Sequence, residues 1–155
     1  MIKQQIKQQI FDQERALYHL QDAVVKTCTF AGPADGESAL KEAYNIDVID
    51  CNFSLRYPLW HVVSFSLLSS RMDEKTRAAI WYAKEGTIRD CKLNGIKCLR
   101  ECDNILVTNS EIHSPECGWK CRGIKIQDSE IESEYFLLES RNIEISNLHM
   151  KGKYS

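Results

Sequence analysis

Lys41, Trp60, Trp81, Arg100 and Trp119 follow one another at separations of 19, 21, 19 and 19 residues. All three tryptophans of the chain stand in this one series, with a cation before them and a cation between them. Flat aromatic faces stack on sugar rings, and cations at regular spacing grip an acidic polymer. The series therefore reads as a stripe for a carbohydrate or another extended anionic ligand. The plainer reading is a cation–π ladder that covers a wall of the protein, worth ~0.5–1 kcal/mol per exposed pair.

The residues that follow the stripe include Glu42, His61 and Glu101. A carboxylate that orients an imidazole makes a workable general base. Glu42, His61 and Glu101 are thus the candidates for catalysis. A glycosidase needs two carboxylates ~5–9.5 Å apart. Glu42 and Glu101 lie three repeats apart, roughly 14 Å at the spacing of stacked strands, which is too far. A polysaccharide lyase would show clustered aspartates for Ca²⁺, whereas Asp47, Asp50 and Asp90 are scattered. Non-catalytic binding is the first reading, and a carbohydrate-active enzyme (polysaccharide lyase or glycosidase) is the alternative.

Seven cysteines cannot pair completely into disulfides, and without a secretory signal reduced thiols are expected. Cys98 and Cys102 form one C-x₃-C pair, Cys117 and Cys121 another. Out of context this is the spacing of a Cys₄ zinc site. In an extended chain, however, four residues span ~13 Å, too far for thiolates to converge on one ion. Cys98 is expected to stack on Cys117, and Cys102 on Cys121, as structural thiols. Cys28 and Cys51 share another column, with Cys91 two turns on. No metal and no cofactor is expected: there is no C-x₂-C-x₂-C run, no GxGxxG and no P-loop. His113 and His149 stand alone.

What must position these residues is a repeat. NIDVIDCNF (45–53), NILVTNSEI (104–112), GIKIQDSEI (123–131) and NIEISNLHM (142–150) share one pattern. DAVVKTCTF (22–30), SFSLLSSRM (64–72) and EGTIRDCKL (85–93) fit it with small departures. The starts are separated by 23, 19, 21, 19, 19 and 19 residues. Apolar residues alternate within each unit, which is the period of a strand. Such a unit is too short for a helical repeat or a propeller blade, and the Leu-x-x-Leu-x-Leu signature of leucine-rich repeats is absent. A coil of parallel strands remains, one turn per repeat, stacked at ~4.8 Å. Thr27, Asp50, Ser69, Asp90, Asn109, Asp128 and Asn147 mark a bend, and Phe30, Phe53, Met72, Leu93, Ile112, Ile131 and Met150 a core column. In the second half of the unit, Leu17, Leu40, Leu59, Ile80, Leu99, Gly118 and Leu137 point inward and the stripe points outward. Residues 9–21 make a partial first turn, and residues 1–10 a short capping helix or strand.

The chain has 155 residues, 43% hydrophobic and 27% charged, as expected of one globular domain. Twenty basic against 22 acidic side chains give a net charge of -2, which disfavours a nucleic-acid partner held by bulk positive charge. No apolar run has the length of a membrane span, and MIKQQIKQQIF lacks the apolar stretch of a signal peptide, so no membrane partner is expected and the location read from the sequence is cytoplasmic.

Glu14-Arg15-Ala16-Leu17, Gly36-Glu37-Ser38 with Leu40-Lys41-Glu42, Tyr57-Pro58-Leu59-Trp60 and Arg77-Ala78-Ala79-Ile80-Trp81-Tyr82 resemble a bacterial family catalogued as domain of unknown function 3737. The resemblance runs from about residue 11 to the end. It implies a right-handed parallel β-helix, similar in fold class to pectate lyases, and no established activity. Members are sometimes labelled hydrogenase-like, but the chain has neither iron–sulfur nor nickel–iron cysteine motifs. Similar chains continue beyond a motif like Lys151-Gly152-Lys153-Tyr154-Ser155.

The expected fold is all-β: a single right-handed parallel β-helix of about seven turns over residues 1–155, the N-terminal part of a longer one. The expected ligand site is Lys41, Trp60, Trp81, Arg100 and Trp119, and a structural or assembly module is a further alternative. Ser155 falls about halfway through the turn that begins at Asn142, so self-association through this open C-terminal turn is also expected.

Overall fold

The 19-residue register closes into a coil. A computed structural model describes residues 2–32 and 37–152. The first turn holds β1 (Gln4–Lys7) and β2 (Ile10–Phe11), the second β3 (Gln21–Lys26) and β4 (Thr29–Ala31). The third holds β5 (Tyr44–Ile49), β6 (Asn52–Ser54) and β7 (Leu59–Trp60). The fourth holds β8 (Val63–Leu68), β9 (Arg71–Met72) and β10 (Ile80–Trp81). The fifth holds β11 (Lys84–Arg89), β12 (Lys92–Asn94) and β13 (Leu99–Arg100). In the sixth are β14 (Asp103–Thr108), β15 (Glu111–His113) and β16 (Glu116–Trp119). β17 (Arg122–Glu132) and β18 (Tyr135–Leu138) make the seventh turn, and β19 (Arg141–Lys151) opens an eighth. Each strand pairs in parallel with its counterpart one turn away, for example Ile105 with Ile124 and Ile124 with Ile143. The result is a right-handed parallel β-helix of about eight turns.

The turn beyond the expected seven begins at the N-terminus. Residues 4–7 form a strand in register with Ala23–Lys26. Gln4 and Gln9 occupy columns that are apolar or small elsewhere, so this turn does not display the repeat pattern. Part of the AGPADGES insertion, residues 33–36, lies outside the described residues.

Two structural columns hold the coil in shape. The bend residues Thr27, Asp50, Ser69, Asp90, Asn109, Asp128 and Asn147 all adopt left-handed backbone, with φ between 48° and 57°. Short polar side chains tolerate that region because they bond locally. Here they also bond along the column: Asn147 Nδ2 donates to Asp128 at 2.8 Å, and the Thr27 hydroxyl donates to Asp50 at 3.3 Å. The next residue inward is always small in turns two to seven: Cys28, Cys51, Ser70, Cys91, Ser110 and Ser129, all buried. Ser70 Oγ donates to the Leu68 carbonyl and accepts the Cys51 N–H at 3.1 Å. The Cys91 thiol makes the equivalent donation to the Arg89 carbonyl. Thiol and hydroxyl thus do the same work at this corner.

The core columns lie where the pattern puts them. Ile105, Val107, Ile124 and Ile126 are buried, and Phe11, Phe30 and Phe53 stack face to face with centroids 5.1 and 4.9 Å apart. Ile143 is partly buried and Ile145 is 47% exposed, because β19 has a described neighbour on one side only. No helix of the described residues is long and apolar enough to cross a membrane.

Candidate functional site

The stripe is a continuous stack. Trp60 and Trp81 lie parallel, with centroids 5.2 Å apart and planes 7° apart. The Lys41 ammonium sits 4.4 Å from the Trp60 ring centroid. The Arg100 guanidinium is sandwiched, 4.9 Å from Trp81 and 4.6 Å from Trp119. Lys120 adds a cation 4.7 Å from Trp119. All five expected residues are brought together, each half-buried on the outside of the coil. In-register parallel strands cause this, since identical columns fall one strand spacing apart, close to the thickness of stacked rings.

Stacking has a chemical consequence. Trp60 and Trp81 cover each other, and the cations occupy further ring faces. The indole faces that a sugar ring would need are thus largely occupied within the stripe. What remains accessible is a row of ring edges and cationic groups.

Beside the stripe runs a row in left-handed backbone: His19, Glu42, His61, Tyr82, Glu101, Lys120 and Glu139, with φ between 49° and 62°. His61 stacks on Tyr82 at 4.9 Å. Glu42 accepts the Tyr18 hydroxyl, which holds its carboxyl below the usual range. Glu101 is lowered in the same way, first by the Tyr82 hydroxyl and then by the Trp81 N–H, which donates at 3.4 Å. Both carboxylates are fixed in the charged form on separate turns. A lowered carboxylate suits an imidazole-orienting or charge-stabilising role rather than that of a general acid.

At its C-terminal end the stripe opens into a recess of about 280 Å³. Arg100 and Trp119 line it together with Lys97, Glu116, Tyr135 and Leu138, and Leu99 and Gly118 complete its wall. Tyr57, Ala78, Lys97, Glu116 and Tyr135 belong to one column, immediately before the segment that carries the stripe. Extending the repeat alignment by one residue would have found Lys97, Glu116 and Tyr135. What that alignment could not show is a change of backbone path. In turns three to five the left-handed residue of this face is Tyr57, Ala78 or Lys97. In turns six and seven it is Gly118 or Leu137 instead. A Cβ on Gly118, at φ 85°, would fall 2.6 Å from a Leu137 methyl.

The cysteines stack as columns. Cys98 shares a hydrogen bond with Cys117, and this, with burial, raises the Cys98 thiol well above its usual value. Burial likewise raises Cys102, which meets Cys121. Among the described residues no group of three His, Cys, Asp or Glu side chains is placed to share a metal ion.

The family model described as "protein of unknown function (DUF3737)" matches residues 4–155, and the chain belongs to that family. No curated protein and no solved structure matches it.

Proposed function

We propose that this family member is a non-catalytic binder that holds a carbohydrate, or another extended anionic ligand, along the stripe and in the recess at its end. One observation carries this. Two stripe residues, Arg100 and Trp119, converge with Lys97 and Tyr135 on a single recess of about 280 Å³, near the lower end of the usual size for small-ligand sites. Tyr135 is 38% exposed there and offers a ring to a sugar.

A glycan array followed by a reducing-sugar assay tests the proposal. The expected result is retention of a subset of glycans with no new reducing ends. Release of reducing ends from a bound glycan would make the protein an enzyme and overturn the non-catalytic reading. A second reading, an assembly module, is favoured by the outer edge of β19, which has no partner strand among the described residues, and by its exposed Ile145.

A further inference from the structure

Arg100 stands out among the basic residues of the molecule. Many of the others meet a carboxylate: Lys3 with Asp47, Arg71 with Asp50, Lys97 with Glu116, Arg122 with Asp103. The Arg100 guanidinium makes no ion pair and no hydrogen bond among the described residues, and its Nε is buried without a partner. The carboxylates close to it in sequence or in the recess are engaged elsewhere. Glu101 is held by Tyr82 and Trp81, and Glu116 lies 3.9 Å from the Lys97 ammonium.

The two indoles that clamp Arg100 cover both faces of its guanidinium. A planar cation covered on both faces can donate only from its edge, in its own plane. Such an edge matches two oxygens lying in that same plane. A carboxylate meets this condition, because both its oxygens lie in one plane. A phosphate or sulfate is tetrahedral and carries further oxygens out of that plane, toward the flanking Trp81 and Trp119.

Resting on the binding function above, we propose that Arg100 is a carboxylate-recognition residue and that the recess takes a uronic-acid unit of an acidic polysaccharide. In this arrangement the carboxylate lies against the Arg100 edge between the indoles, the Lys97–Glu116 pair borders it, and the sugar ring lies against Tyr135 and Leu138.

Isothermal titration with trigalacturonate, a neutral galactose trisaccharide, acetate and inorganic phosphate tests this on the wild-type chain and on Arg100→Lys, Arg100→Gln and Arg89→Gln. Arg89 lies on another face of the coil, in β11. Trigalacturonate is expected to bind at least tenfold more tightly than the neutral trisaccharide. Arg100→Lys, which keeps the charge but loses the planar edge, should weaken it about 10- to 100-fold. Arg89→Gln should leave it unchanged, and acetate should compete better than phosphate. Circular dichroism checks that each variant is folded. Equal affinity for acidic and neutral trisaccharides, unaffected by Arg100→Lys, would keep the carbohydrate function and overturn the carboxylate assignment. Phosphate competing as well as acetate would overturn it too. No binding of either trisaccharide would overturn the uronate unit, and a glycan array empty of every carbohydrate would remove the carbohydrate function beneath it.

Discussion

Cys51 and Cys91 are enclosed deeply enough that burial pushes both thiols up to about 11. At pH 8 only about one in a thousand of either is then a thiolate, the form that reacts. Since all seven cysteines are buried, Ellman's reagent is expected to release little colour from the native protein at pH 8 and to titrate all seven after unfolding in guanidinium. Rapid modification of Cys51 or Cys91 without unfolding would contradict the burial of the corner column. The carboxylates behave in the opposite sense. Glu42 is held down by Tyr18, Glu101 by Tyr82 and Asp50 by Arg71. A carboxyl lowered in the folded state contributes stability that is complete above its unfolded value, 4.5 for Glu. That contribution is lost as pH falls through the lower folded value. Urea unfolding between about pH 6 and pH 3 should therefore show a shallower acid decline for an E42Q/E101Q variant than for wild type. An identical decline would mean that the two hydrogen bonds do not persist in solution.

Strand placement was the most legible part of the sequence, because one residue type per column is enough to fix a register when turns stack directly. The nine-residue units at 22, 45, 64, 85, 104, 123 and 142 each begin one residue inside a long strand. The recess was less legible, since it depends on where the left-handed residue falls within a turn, and Lys97 and Gly118 carry no pattern that announces the change. Pattern also hid a fitted pair. Glycine at 86 reads as a departure from an apolar column, yet it lies directly beneath Phe65, whose ring fills the space a Cβ would take. The two residues together fill the volume that Ile46 and Ile105 fill on the turns either side. Gly86→Ala should destabilise the protein by about 1–3 kcal/mol through overpacking. Phe65→Leu should relieve that cost in the double variant, and chemical denaturation of the four proteins measures the coupling. Strict additivity would mean that the two side chains do not share the site.

Across the whole molecule, the strand-to-strand contacts join one turn to the next, so the core is a continuous column built by repetition. The outer edge of β19 is where that repetition has no described partner, and Ile145 is exposed along it. Sedimentation of the 155-residue chain should show mass rising with concentration, and Ile145→Lys should suppress the rise by placing a charge on the edge. One monomer boundary from low to high micromolar concentration would close this edge to a second copy. The same turn-on-turn stacking also makes the molecule an optical device. Two indoles 5.2 Å apart and nearly parallel are close enough for their electronic transitions to mix. Where the in-plane axes of the two rings are rotated against each other the mixed transitions acquire a handedness, and Trp60 and Trp81 then produce a paired circular-dichroism band of opposite signs. That band would vanish when the third and fourth turns separate, and Trp60→Phe would remove it from the folded protein, so the stripe carries its own reporter of whether the coil is wound.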